Sequence, residues 1–109
     1  MLNQVVLVGR VAQMPEVKET ASGIKLAQML IEVDRNFRNS QGEYERDLFL
    51  CTLWRGIAET AIAQCEVGSI IGVKGRLQAG NFDTKDHSKF YYCEVVAEKV
   101  SFLTSKQGS

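Results

Sequence analysis

The chain has 109 residues, enough for one domain that buries about two-thirds of its unfolded surface. Its hydrophobic share of 45% excludes wholesale disorder, and no apolar run approaches the ~20 residues of a membrane span. Thirteen basic residues balance thirteen acidic ones, so overall charge does not favour a polyanionic partner and only local placement of cations could.

The N-terminus, MLNQVVLVGRV, lacks a basic n-region and a small-residue cleavage site, which argues against a secretory signal. Leu2 to Val11 is rich in β-branched residues and closes at Gly9-Arg10, predicting a first strand that bends there, with Met14-Pro15-Glu16 breaking it. After the turn cluster Thr20-Ala21-Ser22-Gly23, a second strand is predicted from Ile24 to Arg35. It has Ala27, Met29, Ile31 and Val33 as its apolar row. Asn36 to Glu43 reads as a polar connector holding Phe37.

Tyr44 to Trp54 (YERDLFLCTLW) is the third strand and the stretch around which the chain is organised. Its odd positions Phe49, Cys51 and Leu53 form a core face. Its even positions, Arg46, Leu48, Leu50, Thr52 and Trp54, combine a cation, aliphatics, a hydroxyl and the only tryptophan. If open to solvent, that second face calls for a partner.

Ile57 to Cys65 is the one helix, with Ile57, Ala61 and Cys65 at i, i+4 and i+8 and Gly68 placed to stop it. The fourth strand, Ser69 to Gly80, puts Ile71, Val73, Leu77 and Ala79 on one face and Lys74, Arg76 and Gln78 on the other. Gly72 and Gly75 mark coiling or close backbone approach. Asn81 to Lys89 reads as a loop holding Phe82, and Phe90 to Val100 as the last strand.

Five strands with a single helix between the third and fourth is the element order of an all-β OB-fold, a partly open five-stranded Greek-key barrel. Residues 1–104 are expected to form this domain and 105–109 a short disordered tail.

The faces the core does not need carry Trp54 and Leu48 on strand three, Lys74 and Arg76 on strand four, and Phe37 and Phe82 in the two long connections. Arg35, Arg38 and Arg55 lie beside those aromatics. Rings interleaved with cations suit single-stranded nucleic acid, because bases stack on rings while cations meet phosphates. Each feature has a plainer reading. A strand-end tryptophan often lids a core or a subunit contact, and Lys-x-Arg is the pattern of any solvated strand. Their combination on this fold is the more specific signal.

Catalysis finds no support. His87 sits alone in KDHSK, and there is no nucleophile elbow, paired-carboxylate spacing, GxxxxGK[ST] or GxGxxG. Cys51, Cys65 and Cys93 are odd in number and form no CxxC pair, against a disulfide framework or a zinc site. No cofactor and no metal are expected, and a reducing cytoplasm fits.

VVLVGRV, ASG, VDRNFRNSQGE, CTLWRGIAE, VGSIIGVKGRLQ and YYCEVVAEKVSFL follow one another from Leu2 to Leu103. In this order they resemble bacterial single-stranded DNA-binding proteins. The resemblance implies an OB domain that binds single-stranded DNA during replication, recombination and repair as a homotetramer built from dimers, free in the cytoplasm around the nucleoid. It implies stacking roles for Phe37, Trp54 and Phe82. A fourth site, usually aromatic in the family, is occupied by Leu48, which can cover a base but not stack on it. The main replicative members continue through a Gly/Gln/Pro-rich linker to an acidic tip that recruits enzymes. Here Lys106 is the only charge among the last ten residues. That pattern fits either a shortened chain or a short paralogue of the kind associated with DNA uptake, plasmids or phages, and recruitment through such a tail is not expected. The rival readings are a dimeric relative of the primosomal protein N type and an OB domain for protein contacts alone. The first strand, with its apolar VVLV run, is expected to be an edge that pairs with a neighbouring copy.

Overall fold

The computed structural model describes residues 1–104; the tail expected over 105–109 lies outside the described residues. Five strands and one helix follow in the order β1 (Val5–Glu19), β2 (Lys25–Arg38), β3 (Tyr44–Trp54), α1 (Arg55–Gln64), β4 (Ile70–Asp83) and β5 (Lys89–Phe102). The strands close into a barrel in the order β1-β2-β3-β5-β4, the OB-fold arrangement. The expected opening is closed. β1 pairs with β4, and β3 meets β5 in a short parallel junction at Cys51–Val95 and Thr52–Val96. No helix among the described residues is long and apolar enough to cross a membrane.

Five of the odd positions named for β2 and β3 are in the core, while Val33 packs partly buried against it and Phe49 is half-buried. Ala27, Met29, Ile31, Cys51 and Leu53 are buried with Val11, Ile71, Val73, Val95 and Ala97, and α1 adds Ala58 and Ala61, followed by Cys65 just past its end. Burial pushes the Cys51 thiol up to about 12, because a thiolate there would lose its water.

Several boundaries differ from the sequence expectation. Met14-Pro15-Glu16 does not break β1. The strand runs through it with register shifts between Val11 and Gln13 and between Gln13 and Glu16, and a proline is tolerated where the ladder is already interrupted. The irregularity lets one strand pair first with β4 (Val5–Arg10) and then with β2 (Arg10–Glu19). Gly68 does not cap the helix, which ends at an extended Cys65. It takes its left-handed conformation (φ +92°) in the following turn, where the Ser69 N–H donates to the Glu66 carbonyl at 2.9 Å.

The larger correction concerns the two long connections. β2 and β3 pair as far as Asp34–Arg46 and again at Arg38–Tyr44, past the last β1 partner of β2 at Glu32, across a register shift that sets Arg35, Asn36 and Phe37 against Glu45 alone, and they turn over Asn39–Glu43. β4 and β5 continue out to Asp83–Lys89, past the last β1 partner of β4 at Gly75, and turn over Thr84–Ser88. Both connections are therefore two-stranded arms projecting from the barrel. Phe37, Arg38 and Phe82 lie on strands and not in loops. Leu77 and Ala79, expected in the core, are exposed because β4 has already left the barrel there.

Candidate nucleic-acid interface

The outward face of β2 and β3 is a ladder of cross-strand pairs. From the helix end outward they are Trp54–Leu26, Thr52–Gln28, Leu50–Leu30, Leu48–Glu32 and Arg46–Asp34. This face is not uniformly open. Thr52 is buried and its Oγ1 donates to Glu94 Oε2 at 2.9 Å, and Leu50 is half-buried. Leu48 is 60% exposed and Trp54 38%, so an aliphatic and an aromatic surface stay accessible on either side of a covered middle.

Trp54 sits where β3 turns into α1. It occupies the N-cap position with extended backbone, offers no side-chain cap, and α1 has no acidic residue in its first turn. Arg55 follows in the left-handed region (φ +53°), a conformation that costs a non-glycine residue about 1–3 kcal/mol. The corner is thus held by the barrel against its local preference, with Trp54 and Arg55, both exposed, consecutive in the chain.

Phe37 is 68% exposed near the tip of the β2–β3 arm. Its neighbour Arg38 places its guanidinium carbon 5.2 Å from the centroid of the Tyr44 ring, a cation–π contact. Arg35, on the same arm, is engaged by carboxylates. Its Nη2 lies 2.9 Å from Asp47 Oδ1, its Nε donates to both Asp47 oxygens, and its Nη1 meets Glu45. The guanidinium holds the Asp47 carboxyl below its ordinary 3.8.

A second charged cluster borders Leu48. Arg10 Nη2 lies 2.7 Å from Asp34 Oδ1 and Arg46 Nη1 2.9 Å from Glu32 Oε1, with longer cross-pairs of 3.4 and 3.3 Å completing a four-residue network. Arg46 remains 62% exposed. Among the described residues Arg38, Arg55, Lys74 and Arg76 form no ion pair, so their charge is available.

Arg76 belongs to a cross-strand row that runs through Val96 and Thr52 to Gln28, which ties β4 to the outward face of β2 and β3. Lys74 is not brought there. Its partners across the sheet are Val6 and Lys99, on the wall formed by β1, β4 and β5. Phe82 stands on the far part of the β4–β5 arm, 52% exposed, opposite Phe90.

Sequence reasoning missed the roles of three residues here. Tyr44 partners Arg38, and Phe90 and Tyr92 share a face with Phe82. The period-two spacing of Phe90 and Tyr92 was the available signal, masked because the run FYY reads simply as strand. Among the described residues there is no group of three or more His, Cys, Asp or Glu able to hold a metal ion.

Residues 2–103 match the model of the single-strand binding protein family. The chain is 44% identical to single-stranded DNA-binding protein 3 of Listeria innocua over 98% of its own length and 67% of that protein's. It is 40% identical to single-stranded DNA-binding protein B of Bacillus subtilis over 97% of its length and 94% of that protein's. Its fold matches that of the Plasmodium falciparum SSB complex with ssDNA, with a TM-score of 0.81 at 22% identity, covering 95% of this chain and 96% of that one.

Proposed function

Since the chain belongs to the single-strand binding protein family, we propose that it binds single-stranded DNA without regard to sequence and shields it during replication, recombination, repair or DNA uptake. The observation that carries this reading is the strand–helix corner, where Trp54 and Arg55 stand together at the end of an otherwise well-paired barrel face. Residues 1–104 are the binding unit. Bases lie against Trp54 and Leu48 on the barrel and against Phe37 and Phe82 on the two arms, because stacking contributes about 1–3 kcal/mol per base and is indifferent to sequence. Arg38, Arg55 and Arg76 meet phosphates directly, and Lys74 does so along the β1–β4–β5 wall. Arg35 contributes by exchanging Asp47 and Glu45 for phosphate, a swap that yields little net charge neutralisation. Binding of single-stranded DNA is what the bacterial relatives are named for; the proposed activity is binding alone, and its proposed place is the cytoplasm around the nucleoid.

The protein acts as a homotetramer built from dimers. Val5–Gly9 pairs with β4 along one edge, with Val6 and Val8 exposed, which leaves the other edge open for a second copy. Light scattering tests this: a monomer mass at micromolar concentration contradicts it.

The binding proposal is tested by anisotropy of labelled oligo-dT and of a duplex of equal length over a range of salt. Oligo-dT should bind far more tightly, with a salt slope of about −0.7 per phosphate contact. Equal affinity for duplex and single strand would remove the proposal in favour of an OB domain for protein contacts.

A further inference from the structure

The β4–β5 arm carries three rings on one face. Phe82 and Phe90 are directly opposite and stacked, with centroids 5.2 Å apart at 30°, and Tyr92 lies 6.3 Å from Phe82 at 36°. Their exposures are 52%, 55% and 48%. Gly80 is opposite Tyr92, and a Cβ there would run into the tyrosine ring, so the glycine is what lets that ring lie across the ribbon. A cross-strand aromatic pair contributes to a ribbon's stability, but it does not need a third, half-exposed ring laid beside it. Exposed contiguous apolar surface of this kind marks a contact site.

The surroundings of the rings select the occupant. Along the same face toward the barrel come Gln78 and then Arg76, whose side chains hydrogen-bond to each other at 3.0 Å. Glu94, opposite Gln78, is taken up by Thr52. The row through Arg76, Val96 and Thr52 then reaches β3, two residues from Trp54. A π surface that leads through an amide and a guanidinium to the Trp54 corner suits unpaired bases joined by phosphates. A purely apolar partner would not use that path.

Resting on the single-stranded DNA reading above, we propose that Phe90 and Tyr92 are base-binding residues, and that with Phe82 they form one continuous stacking platform on the arm. Three adjoining rings offer a base several overlapping positions and extend the stacking surface beyond what Phe82 alone presents. They supply aromatic area that β3 lacks where it carries Leu48.

The test compares wild type with Phe90→Leu/Tyr92→Leu, which keeps apolar cover on the ribbon but removes both rings, and with Tyr92→Phe. Each is titrated with oligo-dT and with an abasic oligonucleotide of the same length. Oligo-dT affinity should fall about tenfold in the double leucine variant, affinity for the abasic strand should hardly change, and Tyr92→Phe should bind as wild type. Trp54 quenching at saturation should persist in all three. Wild-type affinity in the double variant would overturn this proposal while leaving the single-stranded reading intact. Equal loss on the abasic strand would mean the rings only shape the arm, and a changed assembly mass would make the face a contact between copies; either result overturns it. Absence of oligo-dT binding by the wild type would overturn the underlying reading as well.

Discussion

Gly75 is where the β4–β5 arm departs from the barrel, and replacing it with alanine should be a costly methyl addition. The residue is buried between Val5 of β1 and Ala97 of β5. The β4–β5 register shifts there, leaving Glu98 as an extra residue. A Cβ would overlap the Val96 carbonyl oxygen and lie 2.9 Å from its carbonyl carbon and 3.2 Å from Ala97 Cα. Ordinary carbon contacts are about 3.5–4.0 Å, and every obstructing atom is backbone, so no side chain can swing away. The strands must separate next to the short β3–β5 junction. Overpacking costs about 1–3 kcal/mol, and the rigid obstruction places Gly75→Ala at the upper end. At ~4–8 °C per kcal/mol, a loss of about 3 kcal/mol lowers Tm by roughly 12–24 °C in a domain of about this size. Gly72→Ala is the control, because its nearest neighbours are 3.9 Å away and it should melt close to wild type. Thermal unfolding by circular dichroism decides between them. Equal melting of Gly75→Ala and wild type, or equal loss in both variants, would refute the close-approach argument.

Leu48→Trp places a ring on the exposed part of the β3 ladder and should tighten oligo-dT binding by about 1 kcal/mol in an anisotropy titration; unchanged affinity would mean that no base lies there. Arg55→Gly removes the left-handed strain and should raise stability by about 1 kcal/mol in urea unfolding while weakening oligo-dT binding, the opposite signs separating strain from contact. The Asp47 carboxyl is held below 3.8 by Arg35, so its ion pair supports the β2–β3 arm above that pH and the support is lost as pH falls through the depressed value. Urea midpoints of wild type and Asp47→Asn should therefore differ near neutral pH and converge well below 3.8. A gap that persists in acid would assign the effect to packing.

Where one strand face is buried, the sequence announces it. β3 lies at Tyr44–Trp54 as its alternation indicates, and the inward rows of β2 and β3 are the apolar rows. Legibility fails where neither face is buried. The outer parts of β2 and of the β4–β5 pair are exposed on both sides, so Asn36–Arg38 and Asn81–Asp83 carry no alternation and read as polar loop. Leu77 and Ala79 continue the period of β4 past the point where the barrel ends, and periodicity alone has no means of marking that point. Pro15 misleads for a related reason, since a break in hydrogen bonding need not end a strand that bulges. The site divides in the same way. Trp54 and Leu48 follow from the alternation of β3, whereas the engagement of Arg35 by Asp47 and the displacement of Lys74 to another wall depend on long-range pairing.

Trp54 is the only tryptophan, so its fluorescence reports on the proposed platform with little interference. Titrating the protein with oligo-dT and with a duplex of equal length tests the central claim most directly. Strong, saturable quenching by oligo-dT and little by the duplex is the expected result. No quenching by oligo-dT at concentrations where binding is complete would show that no base reaches the Trp54 corner, contradicting the site described above.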